Sequence, residues 1–224
     1  MIKQLPNFLT CCNLICGCLG IIFLWEDQTI PSAYFVWAAV LFDFFDGFAA
    51  RMLKISSPIG KELDSLADVV SFGVLPALLM YKLIAFESPV PFLPYIALLI
   101  AICSAIRLAV FNTDVTQSES FRGLPTPANA LFITAFPFLH HPAFDILHSP
   151  IVLTLITIIF SLLLVSRIEL FALKFENFSW KENKIRFTFL ALSVLLLAVL
   201  QFAALPLIII LYIALSLGDR VFSK

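Results

Sequence analysis

The stretch "LFDFFDGFAARMLKISSPIGKELDSLADVVSFGVLP", Leu41–Pro76, sets Asp43, Asp46, Asp64 and Asp68 in an otherwise apolar run. Asp43 and Asp46 are spaced i, i+3, and Asp64 and Asp68 are spaced i, i+4. Each pair therefore lies on one face of a helix. The turn Lys54–Gly60 between them is short, so the two pairs are able to face each other. Four carboxylates do not all stay ionised together without compensation. Oxygen-only ligands favour Mg²⁺, Mn²⁺ or Ca²⁺ over zinc. Helix caps and salt bridges, such as Arg51 with Asp46 or Asp64, explain one or two of the aspartates but not two facing pairs.

The surroundings make those charges expensive. The chain has 224 residues, of which 61% are hydrophobic and 13% charged. Its mean hydropathy is +1.03. A water-soluble domain does not cover that much apolar surface, so lipid is the expected solvent. A carboxylate at membrane depth is then a functional-site candidate by default. The net charge of -1 argues against a nucleic-acid partner. No cleavage site follows the first apolar segment, so Met1–Trp25 reads as a retained span. No long polar tract or Gly/Ser linker divides the chain, and residues 1–224 read as one integral membrane domain.

Hydrophobic length predicts an all-α protein of about eight transmembrane helices. The expected spans are Leu9–Trp25, Ser32–Leu53, Leu63–Ala85, Leu93–Phe111, Ala128–Leu139 and Pro150–Val165. The run 185–217 is too long for one helix, and a break near Gln201–Pro206 makes it a hairpin. With eight spans, Lys82 alone among the 14 Lys and Arg residues falls on one side of the membrane. The positive-inside rule then places both termini and the aspartates on the cytoplasmic side of the cell membrane. A seven-span chain would move Arg220 and Lys224 across.

Four of the five cysteines, Cys11, Cys12, Cys16 and Cys18, crowd the first span, with Cys103 apart. Their spacing fits no zinc signature, and they read as small packing residues. His140, His141 and His148 fall in a loop on the side opposite the aspartates and read as solvated polar groups rather than a metal site.

Small and polar residues complete the site. Gly47, Gly60, Ala49 and Ala50 leave room for a substrate or a neighbouring helix. Arg51 offers a planar fork suited to phosphate, and Ser57 a hydroxyl on the connecting turn. Asn7, Thr10 and Asn13 recur every third residue on the first helix, which suits interhelical hydrogen bonds. These residues point to metal-assisted phosphoryl chemistry at a membrane surface.

The pattern D-x2-D-G-x2-A-R-x8-G-x3-D-x3-D is filled at every fixed position by Asp43, Asp46, Gly47, Ala50, Arg51, Gly60, Asp64 and Asp68. It resembles the signature of the CDP-alcohol phosphatidyltransferases. The flanking pieces "LPNFLTCCNLICG" (Leu5–Gly17), "RLAVFN" (Arg107–Asn112), "SFRGLPTPANA" (Ser120–Ala130) and "VSRIELFALK" (Val165–Lys174) are similar to the branch whose acceptor is serine. The resemblance covers roughly the first 175 residues. It implies transfer of the phosphatidyl group of CDP-diacylglycerol to the hydroxyl of L-serine, with release of CMP. It implies two divalent cations held by Asp43, Asp46, Asp64 and Asp68, with Asp68 also the general base. It assigns Asn7, Thr10, Gly47, Arg51 and Ser57 to CDP-diacylglycerol, and a homodimer to the assembly.

A serine pocket needs a cation and acceptors. Arg107 is the best carboxylate partner, with Asn112 and Arg122 beside it. Snorkelling toward the interface is the alternative for Arg107, and ordinary positive-inside charge explains Arg122 as simply as a serine contact does. Gly123, Pro125 and Pro127 make a stiff loop near the site. Glycerol 3-phosphate or inositol phosphate as acceptor would favour a denser basic cluster. A cation transporter would use the aspartates as an ion relay, but they lie near one membrane face and no inverted repeat is visible.

Overall fold

The computed structural model describes residues 4–55, 57–113, 121–139, 142–171 and 183–222, with the backbone alone at 121, 122, 143 and 219–222. The first helix, α1 (Leu5–Trp25), has a proline in its first turn, where the missing N–H costs nothing. The second, α2 (Thr29–Leu53), ends at Lys54, whose φ of 51° is left-handed. Two reverse hydrogen bonds close that end: Ile55 N donates to Ala50 O at 3.0 Å and Lys54 N to Arg51 O at 3.2 Å.

The third helix, α3 (Pro58–Asp68), begins earlier than hydropathy suggested. Ser57 caps it, its Oγ accepting from Gly60 N at 2.9 Å, and Pro58 occupies the first turn. Capping chemistry overrides hydropathy here, because Lys61 and Glu62 lower the apolar signal of a turn that is fully helical. Asp64 and Asp68 therefore lie within α3 rather than at the opening of the span. The helical path continues through a π segment (Val69–Val74) into α4 (Leu75–Glu87). A π segment directly after a candidate site residue is a common feature of functional helices.

A 3₁₀ turn (Leu93–Ala97) leads into α5 (Leu98–Thr113). The strand β1 (Phe121–Arg122) precedes α6 (Thr126–Thr134), which is shorter than the expected 128–139 span and gives way to a 3₁₀ turn at Phe136–Phe138. The short α7 (Asp145–His148) and then α8 (Pro150–Val165) follow. The strand β2 (Glu169–Leu170) pairs antiparallel with β1, Phe121 opposite Leu170 and Arg122 opposite Glu169. The last pair is α9 (Lys184–Leu200) and α10 (Ala204–Phe222). Gln201, with φ of 51°, breaks the long apolar run where expected. The rings of Phe189 and Tyr212 lie 5.8 Å apart, so the chain reverses on itself as a hairpin.

Among the described residues, five helical runs are long and apolar enough to cross a membrane: 5–25, 29–53, 58–87, 93–113 and 184–218, the last spanning the hairpin. The apolar α8 is shorter. Large apolar side chains face outward, as on α8, where Ile151, Leu155, Ile159 and Leu162 form one exposed stripe. That polarity suits lipid rather than water. Inside, Phe72, Leu75, Leu79, Met80, Ile100, Ile133 and Leu153 are fully buried.

Without a hydrophobic force between helices in lipid, close packing does the work. A Cβ on Gly17 would sit 2.4 Å from Ser71 Oγ and 3.0 Å from Ser71 Cα, so α1 lies against the π segment. Ser71 Oγ donates to Asn13 O at 3.0 Å across the same contact. Cys16 packs in the core, while Cys11 and Cys18 face outward. At the end remote from the aspartates, Lys82 pairs with Asp27 at 2.6 Å and donates to Leu24 O at the end of α1. His148 closes α7 with its Nε2 3.2 Å from Leu139 O; His140 and His141 lie outside the described residues.

Candidate active site

Asp43 on α2 meets Asp64 and Asp68 on α3. Each offers one carboxylate oxygen, and the three oxygens lie within 4.8 Å of one another. The Schellman ending of α2 and the Ser57 cap of α3 set this geometry, because the link between the helices is only residues 54–57. Repulsion runs among these carboxylates and Asp46. Asp64 Oδ1 is buried with no hydrogen-bond partner among the described residues. An all-oxygen group with a buried, unanswered acceptor suits a hard divalent cation.

Asp46 lies beside this trio and is buried. Its Oδ2 accepts from Thr10 Oγ1 at 2.7 Å, and the same hydroxyl reaches Pro6 O at 3.1 Å. Asp68, also buried, accepts at Oδ1 from Asn13 Nδ2 at 3.1 Å. Two of the three evenly spaced polar residues on α1 thus hold one aspartate each. Asn7 stands at the outer end of that row, with Nδ2 3.3 Å from Gln4 Oε1.

Two cavities open from the aspartates. The smaller, about 200 Å³, is lined by Asn7, Thr10, Gly47, Ser57 and Gly60. The larger, about 400 Å³, is lined by Arg51, Ser65, Arg107, Asn112, Thr126 and the flanking Pro125 and Pro127, together with Asp43 and Asp68. Asp46, Gly47, Lys61 and Asp64 belong to both walls. A Cβ on Gly47 would meet nothing within 4 Å, so this residue borders open space. Arg51 is exposed and forms no ion pair with Asp46 or Asp64.

Arg107 comes from α5 and is electrostatically coupled to Asp68 and Tyr212. Its Nε is buried without a hydrogen-bond partner among the described residues. Asn112 lines the larger cavity, but its Nδ2 already donates to Ser65 Oγ at 2.9 Å, and its carbonyl accepts from Lys61 Nζ at 2.8 Å. Arg122 enters β1 through its backbone, and its side chain lies outside the described residues. Sequence reading passed over Lys61, Ser65, Thr126 and the role of Asn13 at Asp68. Asn13 carried a signal, as the third member of the row with Asn7 and Thr10. Lys61 carried one in following Gly60 of the signature.

This chain belongs to the CDP-alcohol phosphatidyltransferase family, which it matches over residues 3–165. Its substrate class is therefore a CDP-alcohol, met in a membrane lipid environment. Among individual proteins, it is 35% identical over 171 residues to the CDP-diacylglycerol–serine O-phosphatidyltransferase of Bacillus subtilis, covering 75% of this chain and 89% of that one. It is 33% identical to the protein of the same name from Methanocaldococcus jannaschii, over 75% of this chain and 74% of the relative. A Mycobacterium tuberculosis protein of that name is 39% identical over 58% of this chain and 47% of its own length. The hairpin α9–α10 lies beyond the family match.

Proposed function

We propose that this chain is a CDP-diacylglycerol–serine O-phosphatidyltransferase. The observation that carries the reading is the convergence of Asp43, Asp64 and Asp68 between two cavities. The relatives' names supply the acceptor, serine. Asp43, Asp46, Asp64 and Asp68 hold divalent cations, two per site. Bound there, Mg²⁺ or Mn²⁺ supplies positive charge to the diphosphate and to the departing CMP.

The residues of the chain do the rest. Asn7, Thr10, Gly47 and Ser57 border the smaller cavity, which takes the cytidine end of CDP-diacylglycerol. Arg51 binds phosphate at the mouth of the larger one. Arg107 orients the serine carboxylate, Asn112 lines the same cavity, and Arg122 is a further candidate from the sequence alone. The serine Oγ attacks the phosphatidyl phosphorus in line with the leaving group. A new P–O bond forms, and the old bond to the CMP phosphate breaks with its electron pair on CMP. The hydroxyl proton passes to the Asp68 carboxylate, which Asn13 holds in place.

Residues 1–224 form a single domain of eight membrane-crossing helices, with both termini and the site in the cytoplasm. The placement of Arg51, Lys61 and Arg107 at the site, against Lys82 at the opposite end, supports that orientation. Assembly as a homodimer follows the family resemblance. The test is purified protein with CDP-diacylglycerol and, in turn, serine, glycerol 3-phosphate, inositol phosphate or water. Serine alone yields CMP and a new aminophospholipid. A lipid product only with glycerol 3-phosphate refutes the serine assignment, and the absence of CMP release with every alcohol refutes the transferase reading.

A further inference from the structure

We infer that Tyr212 of the C-terminal hairpin is a positioning residue for the acceptor alcohol. It acts by holding the β1–β2 ribbon against the larger cavity. The inference rests on the phosphatidyl-transfer reading above and concerns a part of the chain outside the family match.

Tyr212 is buried, and its hydroxyl donates to the Phe171 carbonyl at 2.8 Å. Phe171 directly follows β2. Its ring lies 5.0 Å from that of Tyr212 and 6.0 Å from that of Phe189, and Phe189 is 5.8 Å from Tyr212. Both hairpin helices thus grip the end of β2. Leu170, also buried, pairs with Phe121 of β1. Gly123 N then donates to Ile168 O at 2.9 Å, and Leu124 N to Leu163 O at 3.0 Å. Gly123 has φ of 76°, and a Cβ there would lie 2.4 Å from Leu164 O, so the ribbon is pressed onto the end of α8. The next residues, Pro125, Thr126 and Pro127, are the cavity wall facing Arg107.

The path is continuous: Tyr212 hydroxyl, Phe171 carbonyl, β2, β1, Gly123–Leu124, cavity wall. It reaches only the larger cavity, because Asn7, Thr10 and Ser57 of the smaller one come from α1 and the α2–α3 link. A main-chain carbonyl gripped at one end of a two-residue ladder fixes a wall that such a short ladder would not fix alone. Ser216 provides a contrast, since its hydroxyl bonds within α10 to Tyr212 O at 2.7 Å and makes no hydrogen bond to the ribbon among the described residues.

The test is steady-state kinetics of the full chain in mixed micelles. Tyr212→Phe keeps the ring and removes the hydroxyl. It raises KM for serine about fivefold to tenfold, the scale of one buried hydrogen bond. It leaves KM for CDP-diacylglycerol within twofold, and Ser216→Ala leaves both unchanged. A second variant, Phe189→Leu, loosens the same grip and shifts the serine KM in the same direction. Equal changes for both substrates, a fall in kcat alone, or no change in either variant overturns the inference. If the unmutated protein uses another alcohol and not serine, the function reading fails instead, and the KM for that alcohol decides the role of Tyr212.

Discussion

Asn13 on α1 donates its amide to Asp68 on α3 at 3.1 Å, 55 residues away in sequence. The bond leaves one oxygen of Asp68 committed to orientation and the other available. Removing the donor lets the carboxylate rotate away from the productive geometry. Asn13→Ala should therefore lower kcat by about tenfold, near the worth of one charge-assisted hydrogen bond, with little change in either KM. A rise in KM for CDP-diacylglycerol at unchanged kcat would make Asn13 a substrate contact instead.

Asp68 and its neighbours separate by metal titration. Asp43, Asp46 or Asp64 changed to Asn should lose metal affinity together with rate, and excess Mg²⁺ should recover part of the loss. Asp68→Asn keeps an oxygen donor but removes the proton acceptor, so it should lose at least about 10²-fold in rate. Near-normal turnover of Asp68→Asn at high Mg²⁺ would make Asp68 a ligand only.

Metal removal tests the oxygen cluster as a whole. Treatment with EDTA should stop turnover, and Mg²⁺ or Mn²⁺ should restore it. The ion should also raise the Tm of the detergent-solubilised protein, because it relieves the repulsion among Asp43, Asp46, Asp64 and Asp68. Full activity in metal-stripped protein would refute the cluster as the site of catalysis.

Arg107→Lys keeps charge and loses the fork. With a guanidinium Nε buried at the cavity and unmatched among the described residues, the loss should fall on the acceptor. KM for serine should rise more than KM for CDP-diacylglycerol. An equal rise in both would assign Arg107 to packing.

Gly17 and Gly47 should respond oppositely to alanine. At Gly17 the new methyl overlaps Ser71 Oγ at 2.4 Å and presses on the Ser71 backbone at 3.0 Å, and the Tm should fall, with a cost of about 1–3 kcal/mol. At Gly47 the methyl meets no protein atom, so the Tm should hold while KM for CDP-diacylglycerol rises. A stable, fully active Gly47→Ala would show that the open space there is not used by substrate.

The sequence by itself determined the solvent, most helices and the two aspartate faces. Composition and hydrophobic length decide the first two, and the i, i+3 and i, i+4 spacings decide the third, since all are properties of one segment at a time. The break at Gln201 was legible for the same reason. The start of α3 at Pro58 was missed because a capping hydroxyl outweighs two charged residues. Only the tertiary structure decided which faces meet: that Asp43 joins Asp64 and Asp68 while Asp46 turns to Thr10, that Asn13 reaches Asp68, and that Tyr212 grips the end of β2. The contacts between elements join residues from 21 positions apart, Asp43 and Asp64, to 55 apart, Asn13 and Asp68. Spacing along one helix fixes the direction of a side chain, whereas its partner is fixed by how closely neighbouring helices pack, down to a glycine at position 17 that admits Ser71.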